Sequence, residues 1–177
     1  THLKTLSENT FHEDYEREKA DLDWWSGVTP SFNRLQGNHD ERIERLLEKD
    51  PRFEGLIEPE KVLEYDERGV RYYRQVEQPV RVEGWNLMHG VYTTKHHAHQ
   101  HLMAYMDNVM YGHTHQRQDW SLRRPLDGKL IQATAIGCMC DLQPQWRKGL
   151  PTKHSNSFVV MEGSSPYHIS LRGGMFE

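Results

Sequence analysis

Two histidines separated by one residue, His113 and His115, are the clearest candidate metal ligands in the sequence. They follow the apolar run Val109-Met110-Tyr111, which is typical of a buried strand. Because side chains at i and i+2 of an extended chain lie on the same side, both imidazoles are expected to reach one site or two adjacent ions. Imidazole nitrogen is a common ligand of divalent transition metals. The pair therefore predicts a metal site where a strand ends.

Two other segments place a histidine directly after a short apolar run. Residues 37–40 read Gly-Asn-His-Asp and follow the run from Phe32 to Gln36. His89 precedes a glycine and ends the run that begins at Trp85. Three turns that carry histidine are thus expected at three strand ends, where a fold of packed strands brings such residues together.

Taken in order, these three blocks resemble the later signature motifs of the calcineurin-like metallophosphoesterases: Gly-Asn-His-Asp/Glu, apolar-x-His-Gly and Gly-His-Thr/Ser-His. The resemblance runs from about Ser31 to the C-terminal region. It implies a metal-dependent phosphoesterase that hydrolyses phosphate mono- or diesters through a dinuclear metal centre. Two divalent ions are implied, manganese first, with iron or zinc as alternatives. Ions about 3.5–4 Å apart neutralise phosphate oxygens and acidify a water for in-line attack.

The same resemblance assigns metal ligands residue by residue. Asn38, His89 and His113 are expected to bind the second metal, and His115 is expected to bind the first. An alternative from the residues alone is a single structural metal held by Asn38, His89 and His113. That ion would raise the melting temperature without any hydrolysis.

A catalytic pair is implied by the first block. His39 is expected to donate a proton to the leaving oxygen or to stabilise charge on the phosphate, and Asp40 is expected to orient its ring. The alternative is that Asn38 and Asp40 only form a turn and cap the following helix, which these residue types do routinely.

Two earlier motifs of that family have no counterpart in the sequence. No Asp is followed two positions later by His, and no Gly-Asp dipeptide occurs in the 177 residues. In the family these motifs supply ligands of the first metal and the carboxylate that bridges both ions. We therefore expect an N-terminally incomplete domain, in which a missing segment or a partner chain completes the site. A catalytically inactive binding scaffold of the same fold is the alternative function.

The order of elements predicts an α/β fold in a single domain over residues 1–177. An amphipathic helix is expected from Glu8 to Trp25 and a second from Asp40 to Lys49, with strands dominating later in the chain. The resemblance implies two mixed sheets that pack face to face and are flanked by helices. We predict strands at residues 32–36, 62–65, 70–74, 80–82, 85–89, 108–111 and 130–136, a helix within 92–105, and a terminal hairpin of 158–162 and 167–171.

Composition is typical of a globular chain without a membrane segment. No run approaches the roughly 20 apolar residues that cross a bilayer, and five Trp, eight Tyr and five Phe argue against disorder. Cys138 and Cys140 are the only cysteines, too few for a disulfide framework. A cytoplasmic location is therefore predicted. The two thiols either pack in the core or form half of a soft-metal site.

Histidines are densest at residues 96–101, which read His-His-Ala-His-Gln-His. The run looks like a metal-binding tract, but at the start of a helix its rings spread around the axis. We expect these side chains to line the mouth of a pocket or to face solvent, where their charge changes near neutral pH.

Charge is distributed unevenly, with 13 Lys and Arg against 20 Asp and Glu in residues 1–88, and 9 against 6 in residues 89–177. The basic half carries the last two histidine blocks, so its cations either attract the expected partner, a phosphorylated small molecule or nucleotide, or only face solvent. The candidates among these cations are Arg117, Arg123, Arg124, Arg147, Lys148 and Lys153.

Three aromatic residues raise the possibility of a nucleic-acid partner. Trp120, Trp146 and Tyr92 either stack on a nucleobase or pack in the core, and core packing is the expectation. The sequence has no basic stripe to support nucleic-acid binding. Substrate and oligomeric state are not predicted by the sequence.

Overall fold

The computed structural model describes residues 10–143, 148–172 and 175–176. It divides into two compact units, Thr1–Val76 and Glu77–Glu177. The α/β prediction is confirmed at its coarse level, because helices occur with a five-stranded mixed sheet. The prediction of one domain over residues 1–177 stays a prediction. Within the described residues, no helix combines the length and the apolar character that a membrane span requires.

The first unit contains helices around a pair of parallel strands. Its first helix begins with a reciprocal capping box, in which the Thr10 side chain accepts from the Glu13 N–H and the Glu13 carboxylate accepts from the Thr10 N–H. Its strands pair with Phe32 opposite Val70. The elements are α1 Phe11–Val28, β1 Phe32–Leu35, α2 Asp40–Lys49, a 3-10 turn Pro51–Phe53, α3 Pro59–Val62 and β2 Val70–Tyr73.

One prediction for the first unit is wrong. Residues 62–65 were expected as a strand, but Val62 ends α3, and Glu64 adopts a left-handed φ of 53° that breaks an extended chain. Leu63 and Tyr65 are both buried, and their alternation with the polar Glu64 in the sequence resembles that of a half-buried strand. On α1, Tyr15 and Leu22 are buried, whereas Phe11 and Trp25 are 55% and 45% exposed.

The second unit is built around the five-stranded mixed sheet, in the order β3-β4-β5-β7-β6. Strands β4, β5 and β7 are parallel neighbours, and the strands at both edges are antiparallel to them. The elements after a 3-10 turn at Gln75–Glu77 are β3 Val80–Val82, β4 Trp85–Met88, α4 His97–Tyr105, β5 Val109–Tyr111, β6 Arg117–Arg123, β7 Leu130–Ile136, β8 Ser157–Glu162, β9 Ser165–Arg172 and β10 Met175–Phe176.

One face of this sheet is covered by α4, and their contact forms the core of the second unit. A smaller antiparallel sheet of β8, β9 and β10 includes the hairpin predicted at residues 158–171. It contacts the larger sheet where Thr134 Oγ1 lies 2.7 Å from His168 Nε2. The buried core residues are Met88, Ala98, Leu102, Val109, Tyr111, Ile131, Ala133 and Ala135.

Strand β6 was not predicted. Its residues Arg117–Arg123 are mostly polar and exposed, so the sequence lacks the apolar alternation that marks a half-buried strand. The strand forms because it pairs along its full length with β7, from Arg117 opposite Ile136 to Arg123 opposite Leu130.

Candidate metal centre

Three neighbouring parallel strands of the second unit end beside residues that bind metals. His89 follows β4, His113 and His115 follow β5, and Cys138 follows β7 soon after Ile136. In parallel strands the carboxyl ends lie at one edge of the sheet, where open α/β folds bind their ligands. The topology therefore collects imidazole and thiol groups from three distant parts of the unit at a single edge.

The closest of these contacts joins the second and third histidine blocks. His89 Nε2 lies 2.9 Å from His113 Nδ1, and the two ring centroids are 4.6 Å apart. This separation is that of an N–H···N hydrogen bond between the two rings. The pair becomes a candidate ligand set for a divalent ion when the shared proton is released, because metal binding displaces protons from its ligands.

Backbone contacts position His89 at this place. Its N–H donates to the Gln78 side chain at 2.7 Å, and its carbonyl accepts from the Gly112 N–H at 3.1 Å. Gly90 follows with φ of 103°, and a Cβ there would lie 2.8 Å from the Tyr111 ring. Glycine is required at this turn because the backbone passes directly over a buried aromatic side chain.

The two histidines after β5 reach different partners. His113 and His115 have φ of 64° and 58°, so this turn is left-handed and the alternation of an extended strand does not apply to it. His113 contacts His89, whereas His115 Nδ1 lies 3.8 Å from Cys140 Sγ and its ring packs against His154. Left-handed backbone at residues other than glycine is concentrated at functional sites.

The cysteine pair is part of a larger group. His115, Cys138, Cys140 and His154 each offer a ligand atom, and these atoms lie within 4.8 Å of one another. The sequence marked the two thiols as half of a soft-metal site but gave no role to His154. That histidine lies 14 residues beyond Cys140 in a segment without regular structure, so neither periodicity nor short spacing identifies it.

The expectation that the tract at residues 96–101 faces solvent or a pocket mouth is wrong for two of its histidines. His97 and His101 are 1% and 0% exposed, on the face of α4 that packs on the sheet. His97 Nδ1 lies 2.5 Å from the Tyr111 hydroxyl, and the His101 ring stacks on the Tyr111 ring with centroids 3.7 Å apart. Helical spacing places them together on the buried face.

His101 also fixes the loop that follows His89. Its Nδ1 donates to the His97 carbonyl at 2.8 Å, and its Nε2 accepts from the Val91 N–H at 3.1 Å. These bonds select the neutral ring that carries its proton on Nδ1. Burial lowers the pKa of His97 and of His101, which favours the neutral form further.

The first block lies in the other unit and is described there alone. Asp40 Oδ2 accepts from the Gly37 N–H at 2.9 Å, and Asp40 Oδ1 accepts from Arg34 at 3.2 Å. Through these contacts Asp40 stabilises the turn before α2, which is the structural role given above as the alternative to a catalytic one. Asn38 is half-buried, and His39 is exposed at the N-cap position that precedes α2. The catalytic pairing of His39 with Asp40 stays a prediction.

Of the aromatic and basic candidates, Trp146 and Arg147 lie outside the described residues. The expectation that Trp120 packs in the core is wrong. Its side chain is 44% exposed and makes an edge-to-face contact with the His99 ring. Among the cations, Arg124 forms an ion pair with Asp127, which neutralises its charge locally.

Comparisons of the chain with protein-family models, with curated proteins and with solved structures found no match. The resemblance of the three histidine blocks to a phosphoesterase family therefore stays an expectation based on the motifs themselves.

Proposed function

We propose that the chain is a metal-dependent phosphoesterase whose metal centre includes His89 and His113. The observation that carries this proposal is the 2.9 Å approach of His89 Nε2 to His113 Nδ1. These residues are 24 positions apart and come from the ends of adjacent parallel strands. Two half-buried imidazoles this close are a suitable donor set for a borderline divalent ion such as manganese, iron or zinc.

Bound divalent ions would supply charge neutralisation for a phosphate ester and would make water more acidic. The chain's own contribution is to hold the two rings in place. The Gln78 side chain and the Gly112 N–H fix the backbone of His89, and the left-handed turn at His113 directs its ring toward His89. Such preorganised geometry lowers the cost of binding an ion and its substrate.

A dinuclear centre in a sandwich of two mixed sheets is the finer form of this proposal. His115 would then bind the other ion. The roles that the motif resemblance implies for Asn38, His39 and Asp40 stay predictions. Because the sequence holds no Gly-Asp dipeptide and no Asp-x-His motif, the 177 residues offer no counterpart of the bridging carboxylate. We therefore expect weak manganese binding and slow turnover by these residues alone.

Hydrolysis of bis(p-nitrophenyl) phosphate with added Mn²⁺ tests the proposal. His39→Ala and His113→Ala should each lower the rate by about 100-fold or more, which is the scale of a lost proton donor or of a disturbed metal site. His96→Ala, at an exposed histidine, is the matched control and should retain the rate.

Equal rates in the wild type, His39→Ala and His113→Ala would contradict the enzymatic proposal. Manganese binding without any turnover would instead favour the inactive binding scaffold.

A further inference from the structure

A second group of metal-binding side chains lies at the same sheet edge, on the side of β7. His115 follows β5, Cys138 and Cys140 follow β7, and His154 precedes β8. Their ligand atoms all lie within 4.8 Å of one another. Cys138 and His154 are half-buried, and both cysteines are free thiols. Three separate segments of one unit thus converge on a set of two sulfurs and two nitrogens.

The spacing inside this group is close to that of a tetrahedral zinc site. Zinc binds thiolate sulfur at about 2.3 Å and imidazole nitrogen at about 2.0–2.1 Å, so tetrahedral ligands have S···S and S···N separations of about 3.8 and 3.6 Å. Cys138 Sγ lies 3.3 Å from Cys140 Sγ, and Cys140 Sγ lies 3.8 Å from His115 Nδ1. The sulfur pair would have to open by about 0.5 Å to reach these separations. The widest pair in the group, within 4.8 Å, would have to close by up to about 1 Å.

Backbone hydrogen bonds hold the cysteine loop against the neighbouring segment. The Cys138 N–H donates to the Ser155 carbonyl at 2.9 Å, and the Ser155 N–H donates to the His115 carbonyl at 2.9 Å. The Asn156 side chain donates to the Cys140 carbonyl at 2.7 Å. The backbones that carry the ligands are therefore connected to one another without help from a metal.

Gly137 allows the loop to approach this closely. Its φ is +81°, and a Cβ would collide with Ser157 Oγ and the Ser155 carbonyl oxygen. The chain therefore turns sharply at the end of β7 and brings Cys138 alongside Asn156, with which it forms an isolated parallel bridge. Only glycine fits both the backbone angle and the space.

The two thiols lie close enough to share a cation, since Cys140 Sγ is 3.3 Å from Cys138 Sγ. Two adjacent thiolates repel each other unless a cation lies between them, and metal binding releases their protons. Thiolate sulfur together with imidazole nitrogen is a donor set that zinc prefers.

We propose that His115, Cys138, Cys140 and His154 form a zinc site with two sulfur and two nitrogen ligands. Four protein ligands leave no open position on a tetrahedral ion, so the site is structural. It ties the loop after β7 to the ends of β5 and β8. The site does not depend on phosphoesterase activity. It assigns His115 to a closed zinc ion, so it replaces the dinuclear form of the proposed function and leaves His89 and His113 to bind a single ion.

Zinc content and cobalt spectroscopy of the 177-residue chain test this proposal. Purified wild type should retain about one equivalent of zinc that Cys138→Ser and His154→Ala lose. Replacement of the zinc by Co²⁺ should produce intense thiolate-to-cobalt absorption in the near ultraviolet. His113→Ala should keep both the zinc and this absorption, and His96→Ala is the control for a histidine outside both sites.

A measurement on the wild type alone guards against a variant that fails to fold. With zinc bound, the two thiols should react slowly with a thiol reagent, and a chelator should accelerate the reaction at least 10-fold. Unchanged thiol reactivity or a cobalt spectrum without thiolate absorption would each overturn the site. So would a chain isolated with a Cys138–Cys140 disulfide that still binds no zinc after the disulfide is reduced. The zinc site and the phosphoesterase proposal are tested separately, because His113→Ala should lose hydrolysis and still retain its zinc.

Discussion

Two pairs of histidines in the second unit have different surroundings, and only the pair at residues 97 and 101 comes from a histidine-dense segment. His97 and His101 are almost wholly buried and form hydrogen bonds with Tyr111 and with the backbone. His89 and His113 are half-buried at strand ends, and their ring nitrogens face each other. His101 uses both ring nitrogens and His97 uses Nδ1 in hydrogen bonds inside the core. The facing nitrogens of His89 and His113 lie at strand ends instead and form a candidate ligand pair. Histidine density alone therefore does not identify the candidate ligands.

The largest effect that this comparison predicts is on stability, at the buried group. His101→Ala should lower the free energy of unfolding by about 3 kcal/mol, because it leaves a cavity beside Tyr111 and removes the acceptor of the Val91 N–H. His99→Ala, on the same helix but half-buried, should cost under about 1 kcal/mol. Urea unfolding measures both. Equal losses would contradict the division between the groups.

At the strand ends, stability should depend on backbone shape rather than on histidine burial. Gly137→Ala should lower the free energy of unfolding by about 2 kcal/mol, because it adds a collision to an unfavourable left-handed φ. Gly163 has a similar φ of 56° and open space around it. Gly163→Ala should therefore cost about 1 kcal/mol, and a difference near zero would exclude the collision at Gly137.

Acid should destabilise the buried group. Unfolded histidines bind protons below about pH 6.5, whereas burial lowers the pKa of His97 and His101 in the folded chain. The unfolded state then binds more protons, so the free energy of unfolding falls as pH falls from about 6.5, by at most about 1.4 kcal/mol per pH unit per ring. Urea unfolding between pH 7.5 and 5.5 in a chelator measures the slope, which His101→Ala should reduce.

A smaller effect is expected from the hydroxyl that serves the buried group. Tyr111→Phe removes the partner of His97 Nδ1 and should cost about 1 kcal/mol. Tyr167→Phe changes an exposed tyrosine and should cost less than about 0.5 kcal/mol. Thermal unfolding compares the two variants directly. Equal melting temperatures would show that the Tyr111 hydroxyl does not stabilise the fold through His97.

Strong local signals made part of this fold predictable. Helix α2 has the predicted bounds Asp40–Lys49, and β7 has the predicted bounds Leu130–Ile136. Each is marked by apolar periodicity and by a turn residue at its end. Strand β6 was missed because its stability comes from pairing with β7, which no local pattern reveals.

The candidate site was only partly predictable for the same reason. The motif order marked His89 and His113, and the structure brings their rings together. The place of His154 beside the cysteines depends on a long-range contact between segments, held by Ser155 and Asn156. The buried fate of His97 and His101 depends on which face of α4 meets the sheet, and the tract has histidines on several faces.

Calorimetric titration with Mn²⁺ tests most directly whether the converging histidines are metal ligands. The wild type and His96→Ala should give the same affinity, and His113→Ala should weaken binding by at least 10-fold because one of two facing imidazoles is lost. Identical titration curves for the wild type and His113→Ala would contradict the assignment of the strand ends as a metal centre.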